Sequence, residues 1–512
     1  MKKIAIITSA FVALCLASTS CNMDLEPTTD IVYYPATDKL IEIPENLYSL
    51  QYGVLSSFRS LHYGLFTEAQ EVMTDGFNAV AGFGNNFGSL HRTNDTFTSS
   101  DSDILSWWGS HYLAIKDYNI LLDALNDPRN YLEGYEAVMD ETKGYCFTFR
   151  AFSYMQLARH FAKAYDPATA ATDLCVPIVL HYDKDERPAR STVAQVYDQI
   201  KSDLDSASVF LAGVSGAIGS IVPTIDVVNF LWARYYLDTR DYANAASKAA
   251  ALVDSKRYTL ASSTSAMNTE FREDKGTEPL MQLPAGKKSE APATNGIYTG
   301  VHNVEGRGLC FGPLFIPTKT LLDLYEPEDL RRTQWFSSNM YPVEINYTYW
   351  NDRVTVMTKY VGNMDLSSTG YHTAAHYIKP FTISEAYLIA AEAYEQSGDR
   401  TNAQKYLNAL QQARHGNSAS FNTSGSMRNI KKEWMKETVG QGLRMSCLKR
   451  WGDGFEGREP QTVAVNNSLV MTGEYYDLRN FPANAHQWVW PIPAREIATN
   501  KNLVQNEGYS AK

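Results

Sequence analysis

The sequence of 512 residues predicts a mainly α-helical protein that combines dispersed helical hairpins with long irregular loops. Apolar residues recur at helical spacing along much of the chain, and one hairpin pattern occurs twice, 158 positions apart, as from Trp232 to Ala390. Between residues 260 and 351 there is little sustained periodicity, and Gly, Ser, Thr, Asn and Pro are frequent. Loops this long inside a compact domain are usually functional or disordered. Their aromatic residues argue against disorder, so we expect these loops to be functional.

The N-terminus has the three parts of a secretory signal peptide. Lys2 and Lys3 precede a 13-residue apolar run at 4–16, and small residues lead to Cys21. The run is shorter than the about 20 residues that span a bilayer. Small residues before a cysteine resemble the bacterial lipobox, in which the chain is cut before the cysteine and the thiol is acylated, for example with palmitate. We therefore expect residues 1–20 to be removed, Cys21 to be lipidated, and the polar, proline-containing segment 21–44 to be a tether.

The alternative is ordinary signal cleavage near Cys21, which would leave a free or buried thiol.

The next segments show helical spacing, and we predict helices over 104–125, 144–164 and 192–207. The last begins with Thr192-x-x-Gln195, a capping box. Three prolines between residues 165 and 190 predict an irregular connection there.

The clearest helical hairpin is predicted over 383–414. Apolar residues at i, i+3, i+4 and i+7 form a stripe on its first helix, and Gly398-Asp399 is typical of a helix end. The second helix repeats the stripe, and an earlier hairpin at 232–252 has the same register. An aromatic late in the first helix, an Asp at the turn and Ala on the second helix make up the tetratricopeptide register. The separation of 158 residues, against about 34 per repeat, excludes a continuous array.

The charge balance and the cysteine spacing argue against nucleic-acid binding, binding to anionic surfaces and a Cys-x-x-Cys metal or redox site. There are 57 acidic and 46 basic residues, and the net charge of −11 becomes −13 once Lys2 and Lys3 are removed. This balance argues against nucleic acid or an anionic surface as the main partner. The cysteines beyond Cys15 and Cys21 are far apart and form no Cys-x-x-Cys pair. We expect buried thiols, with a disulfide left open, at Cys146, Cys175, Cys310 and Cys447.

The C-terminal third carries the most specific motifs. After a helix predicted over 433–452, the chain ends in a run of short conspicuous elements: Pro491-Ile492-Pro493, Glu496-Ile497, Asn500, Gln505-Asn506 and Gly508-Tyr509. Together these resemble the C-terminal signature of the SusD-like (RagB/SusD) family of nutrient-binding lipoproteins. Further family segments are matched in order by Arg150-Ala151-Phe152, by Val196-Tyr197 with Ile200 and Asp203-Leu204, and by Ser384-Glu385-Ala386-Tyr387-Leu388 with Ala391-Glu392-Ala393.

The resemblance implies a SusD-like fold and a surface-exposed, lipid-anchored protein of the outer membrane that faces the exterior. Such a protein binds nutrient, an oligosaccharide or less often a peptide, and delivers it to a SusC-like TonB-dependent transporter. On this basis residues 45–258 are expected to form an N-terminal SusD-like helical region. Residues 259–512 are expected to form the C-terminal SusD/RagB region, in one compact unit with the first.

No catalytic motif is present: the sequence has no Gly-x-Ser-x-Gly, no His-Glu-x-x-His and no phosphate-binding glycine loop. With 57 acidic residues, carboxylate pairs such as Asp183 and Asp185 are expected by chance. His372 and His376 lie in a strand-like or irregular stretch, so we expect no metal ligands there. We therefore predict a protein that is not an enzyme and has neither a cofactor nor a metal site. A glycan-processing enzyme and a tetratricopeptide interaction scaffold are the alternatives.

The ligand site is expected in the two aromatic, poorly periodic regions 76–97 and 297–351. A sugar presents flat C–H faces and a rim of hydroxyls, so its site needs exposed rings with polar side chains beside them. The alternative is that several of these rings pack the loops onto the helical body. The predicted ligand-binding residues are Phe83, Asn85, Asn86, Phe87, Tyr298, Trp335, Tyr349, Trp350 and Asn351.

Overall fold

The computed structural model describes residues 39–94, 96–285, 297, 300–350, 354–417, 421–461, 469–476 and 480–510, with the backbone alone at Trp350. About 47% of the chain is helical and the strands are short, which confirms the mainly α prediction. The predicted boundary between residues 258 and 259 stays a prediction. Cys21 and its tether as far as residue 38 lie outside the described residues.

Helices are the main regular structure of the described chain. Longer helices dominate the first half and the region after residue 382, and single-turn 3-10 segments lie at Pro128–Asn130, Met364–Leu366 and His486–Trp488. The α-helices are α1 (Pro44–Ser60), α2 (Leu65–Val72), α3 (Gly88–Arg92), α4 (Ser102–Asn126), α5 (Glu136–Phe161), α6 (Val193–Phe210), α7 (Ile225–Asp238), α8 (Tyr242–Asp254), α9 (Thr264–Phe271), α10 (Lys319–Leu322), α11 (Leu330–Gln334), α12 (Ile383–Gln396), α13 (Arg400–Arg414), α14 (Met427–Glu437), α15 (Arg444–Trp451) and α16 (Ala494–Thr499).

The strands form small sheets beside the helical body. They are β1 (Phe77–Ala79), β2 (Pro279–Leu283), β3 (Val301–Val304), β4 (Gly308–Phe311), β5 (Phe315–Pro317), β6 (Phe336–Ser337), β7 (Val343–Ile345), β8 (Thr348–Trp350), β9 (Val356–Met357), β10 (Ile378–Thr382), β11 (Phe455–Glu456) and β12 (Asn480–Phe481). In the described chain one sheet has four strands in the order β3-β4-β7-β8, and the other strands pair as β1–β5, β2–β10, β6–β9 and β11–β12.

Both predicted hairpins are present, as α7 with α8 and α12 with α13, and their turns are built alike. The Asp241 carboxylate accepts the backbone N–H of Asn244 at 3.3 Å, and the Asp399 carboxylate accepts that of Asn402 at 3.1 Å. Gly398, with φ of 88°, precedes the second cap. Arg240 takes the equivalent position in the first hairpin with φ of 63°, so the turn geometry is kept there without a glycine.

The two hairpins are joined by buried charge. The Arg234 guanidinium of α7 donates to both Glu385 oxygens of α12 at 2.7 and 2.6 Å, and both side chains are buried. A paired and hydrogen-bonded geometry of this kind is needed to offset the loss of hydration of two buried charges. The two hairpins, whose patterns are 158 positions apart in the sequence, therefore lie in one helical body.

The capping box of α6 is also confirmed: Thr192 Oγ1 accepts from Gln195 N at 3.2 Å, and Gln195 Oε1 accepts from Thr192 N at 2.8 Å. The single helix predicted over 433–452 is wrong. The structure has α14 and α15, separated by a turn in which Gly440 and Gly442 have φ of 75° and 68°. Helical backbone cannot pass through two left-handed residues.

The described residues of region 260–351 have more regular secondary structure than their weak periodicity predicted, since they include α9 to α11 and the four-stranded sheet. Within the described residues, Cys146, Cys175, Cys310 and Cys447 are free and buried, as predicted for thiols.

None of the helices that the structure describes combines the length and apolar character needed to cross a bilayer.

Candidate functional site

The two loop regions predicted to bind ligand come together in the structure. Strand β1 pairs with β5, and directly after it Ala81 N donates to Leu469 O at 3.0 Å. The loop that follows lies against the turn between β7 and β8: a Cβ on Gly82 would lie 3.3 Å from the Asn346 side-chain oxygen. We call residues 81–88, 343–350 and 469–476 the loop surface.

Arg92 holds the first loop in place. Its guanidinium donates to Asn85 Oδ1 at 2.6 Å and to the Tyr476 hydroxyl at 3.0 Å, and it lies 5.8 Å from the centre of the Tyr476 ring. Asn85 and Phe87 are both in the left-handed region, with φ of 59° and 54°. Such residues persist only where surrounding contacts fix them, so this loop has one defined shape.

Aromatic rings on the loop surface range from buried to open. Tyr347 is 86% exposed at the tip of the β7–β8 hairpin, while Phe87 and Tyr349 are half-buried. The Tyr349 hydroxyl donates to Arg307 O at 3.1 Å, and the Arg307 guanidinium lies 4.8 Å from the centre of that ring. The surface thus offers a free ring face together with amide and guanidinium groups, which is the combination that a polyhydroxylated ligand requires.

The predicted site residues differ in their exposure to solvent. Asn85 and Asn86 are exposed on the loop surface, and the side-chain oxygen of Asn85 accepts from Arg92. Phe83 is buried against Phe315 and Tyr476, with ring centres 6.0 and 6.2 Å away. It packs the loop and does not present a ring face.

The prediction of Trp335 as an exposed ring is wrong. Trp335 follows α11 and is 0% exposed, with its ring 5.1 Å from that of Phe271 and 3.9 Å from the Lys359 ammonium. A ring packed on all sides in this way cannot stack on a ligand. Tyr298 and Asn351 lie outside the described residues, and for Trp350 only its pairing with Val343 is described.

Sequence reasoning missed Tyr347 and Tyr475, of which the second is 38% exposed. A signal existed for Tyr347: Asn346 and Tyr347 form a two-residue hairpin loop with φ of 49° and 62°, and Asn is typical of the first position of such a turn. Tyr475 belongs to the segment that the pairing of Val470 with Val80 brings to the loop surface. This pairing is long-range, so no local pattern reveals it.

An open cavity of about 710 Å³ lies elsewhere, beside the C-terminal motifs. Its lining includes Lys163, Arg190, Lys449, His486, Trp488 and Glu507. Arg190 donates to the carbonyls of Cys175, Leu174 and Val504 and to the Asn506 side chain. Its guanidinium thus holds the C-terminal segment in place.

A small internal cavity of about 60 Å³ lies in the helical body, lined by His62, His111 and His376 among others. Burial lowers the pKa of His62 and His111 to about 3 and that of His376 to about 4, so all three are neutral at pH 7. This cavity is much too small for a sugar ring.

Two family models match separate parts of this chain and together cover most of it. Residues 25–237 match a family described as "Starch-binding associating with outer membrane", and residues 315–509 match the "SusD family". The starch-binding protein SusD of Bacteroides thetaiotaomicron is 30% identical over 133 residues, which cover 25% of this chain and 21% of the length of that protein.

Solved structures share the fold over nearly the whole chain. A SusD superfamily protein from Bacteroides thetaiotaomicron has a TM-score of 0.73 at 23% identity, covering 90% of this chain and 99% of its own. A SusD-like carbohydrate binding protein from Bacteroides vulgatus has a TM-score of 0.68 at 18% identity, covering 90% and 97%. Surface glycan-binding protein A from Bacteroides fluxus has a TM-score of 0.66 at 17% identity, covering 91% and 100%.

Proposed function

Because this chain belongs to the SusD-like (RagB/SusD) family, we propose that it is a surface-exposed lipoprotein that binds an oligosaccharide at the outer membrane. We further propose that it delivers this nutrient to a SusC-like TonB-dependent transporter. The family descriptions and the names of the relatives support a glycan as the ligand class.

The observation that carries the proposal is the composition of the loop surface. Tyr347 presents a ring face to solvent, with the amides of Asn85 and Asn86 on the adjoining loop. Aromatic faces pack against the C–H face of a pyranose, while amide and guanidinium groups bond to its hydroxyls. A peptide ligand would gain most from an unpaired strand edge or a deep apolar groove. Strand β8 of the loop surface is an edge strand of the described four-stranded sheet, so the binding screen includes peptides beside oligosaccharides.

A binding screen tests this choice of ligand. The chain from Asn22 onward, without the signal segment and Cys21, is titrated with oligosaccharides of plant, fungal and host origin and with mixed peptides. Binding to one glycan class, without its cleavage over prolonged incubation, supports the proposal. Binding to peptides alone would assign the protein to peptide capture. Release of smaller sugars at a rate proportional to protein would identify an enzyme.

The anchor rests on the sequence of the first 21 residues. Metabolic labelling with a tagged fatty acid should label the wild-type protein and not the Cys21→Ala variant, and protease added to intact cells should digest the wild-type chain. Label retained by Cys21→Ala would contradict the anchor assignment.

The transporter is tested separately by mild detergent extraction and pull-down. A large outer-membrane protein recovered in a fixed ratio supports delivery to a transporter. Recovery of the chain alone under several mild conditions would contradict it and would leave glycan binding to be judged by the screen.

A further inference from the structure

Three potential metal ligands meet on one face of the four-stranded sheet. His302 of β3 lies directly opposite Cys310 of β4, and β4 runs parallel to β7 with Phe311 aligned with Val343. Side chains alternate along a strand, so Cys310 and Glu344, each next to one member of that aligned pair, share the face opposite to it. His302 shares the face of Cys310 because it is its cross-strand partner.

The separations of the three ligand atoms match those around a tetrahedral metal ion. His302 Nε2 lies 3.5 Å from Cys310 Sγ and 3.6 Å from Glu344 Oε2, and the sulfur lies 3.9 Å from the same oxygen. An ion at the centre of a tetrahedron with edges of these lengths, about 3.7 Å on average, lies about 2.2 Å from each corner. Zinc bonds to nitrogen, oxygen and sulfur are about 2.0–2.3 Å long, and their tetrahedral arrangement places ligand atoms roughly 3.5 Å apart.

We propose that His302, Cys310 and Glu344 bind one zinc ion. A thiolate, an imidazole and a carboxylate are a mixed set that suits zinc, whereas calcium and magnesium take oxygen ligands. Three protein ligands leave a fourth position for water. This inference does not depend on the proposed glycan function, and it revises the expectation from the sequence that the chain has no metal ligands.

Neighbouring residues are arranged to keep the three side chains together. Gly312 leaves room for the imidazole, because a Cβ there would lie 2.5 Å from His302 Cε1. The Arg307 guanidinium lies 3.8 Å from Glu344 Oε1, the oxygen that does not face the cluster. Mutation of a partner that orients a ligand in this way typically lowers metal affinity about 10- to 100-fold.

The site is open to solvent on one side. The His302 side chain is 48% exposed, whereas Cys310 is fully buried, so an ion can enter past the imidazole. The ion would join β3, β4 and β7. Strand β7 also carries the Tyr347 hairpin, so zinc would stabilise the support of the loop surface.

Metal titration of the reduced, metal-free chain from Asn22 onward tests the site. One equivalent of Co²⁺ should give a thiolate-to-cobalt charge-transfer band and visible ligand-field bands of tetrahedral intensity, and Zn²⁺ should bleach both. Calorimetry with Zn²⁺ should give one site per chain.

Variants locate the site. His302→Ala is the main variant, since this side chain is half exposed and its loss disturbs folding least. It should lower zinc affinity by more than about 100-fold, since loss of a ligand exceeds the effect of losing an orienting partner. Cys310→Ser should abolish the charge-transfer band. Gly312→Ala should weaken binding about tenfold by displacing the imidazole. His181→Ala, which removes an exposed histidine paired with Asp123, is the matched control and should leave binding unchanged.

Absence of the thiolate band, or zinc affinity that is equal in the wild type, His302→Ala and Gly312→Ala, would overturn the assignment.

Discussion

Replacing Tyr347 by alanine should weaken glycan binding without unfolding the protein. The ring is 86% exposed at the hairpin tip, so its removal should change the free energy of unfolding by no more than about 0.5 kcal/mol. Truncation of an aromatic anchor in a binding surface typically costs about 1–3 kcal/mol of binding free energy, which is about a 5- to 150-fold rise in Kd. Tyr347→Phe keeps the stacking face and should stay close to wild type.

Calorimetric titration with the glycan identified by the screen measures this effect, and denaturant unfolding checks the fold. Tyr52, 64% exposed on α1, is the matched control, and Tyr52→Ala should bind as wild type does. A folded Tyr347→Ala variant with unchanged affinity would show that the reasoning from exposure to ligand contact is wrong at this position.

Three further predictions concern the stability of the folded protein. Trp335→Ala should lower the free energy of unfolding by about 3–5 kcal/mol, because it empties a fully buried site; a change below about 1 kcal/mol in denaturant melts would contradict that. Arg414→Met should cost about 3–5 kcal/mol, since Arg414 donates to Glu437 and a second buried glutamate, whereas Arg400→Met on the exposed side of α13 should be neutral. Burial lowers the pKa of His111 to about 3, so below pH 6.5 the unfolded chain takes up a proton that the folded chain does not. Wild-type stability should therefore fall by about 1.4 kcal/mol per pH unit relative to His111→Phe between pH 6 and 4, and parallel stability curves would refute this.

Local patterns in the sequence were sufficient for the helical body. The stripes of α12 and α13 and the capping box at Thr192 depend on residues within one or two turns of each other, and both features are confirmed. The C-terminal motif has a physical role that the sequence alone does not reveal. Asn506 Nδ2 donates to the carbonyls of Phe161 and Trp490, at 2.9 and 2.7 Å, and so fastens the chain end to α5.

Long-range placement could not be predicted in the same way. Trp335 and Tyr347 lie in one loop-rich stretch of similar composition, yet one is buried and the other open. Burial at Trp335 is decided by Phe271 and Lys359, which belong to other segments. The zinc ligands likewise follow no motif spacing, because pairing of β4 with both β3 and β7 brings them together.

The break between α14 and α15 was, in contrast, visible in the sequence. Gly440 and Gly442 flank Gln441 within the predicted helix, and two glycines so close together are a recognised signal for a turn. The apolar spacing on either side of this pair is continuous and by itself predicts one helix.

Amide hydrogen exchange of the chain from Asn22 onward, with and without the bound oligosaccharide, tests the location of the ligand site most directly. Slower exchange upon binding is predicted in the loop surface, at residues 81–88, 343–350 and 469–476. Protection confined to residues 483–489 and 505–508, which line the 710 Å³ cavity, would contradict this account and place the ligand beside the C-terminal motifs.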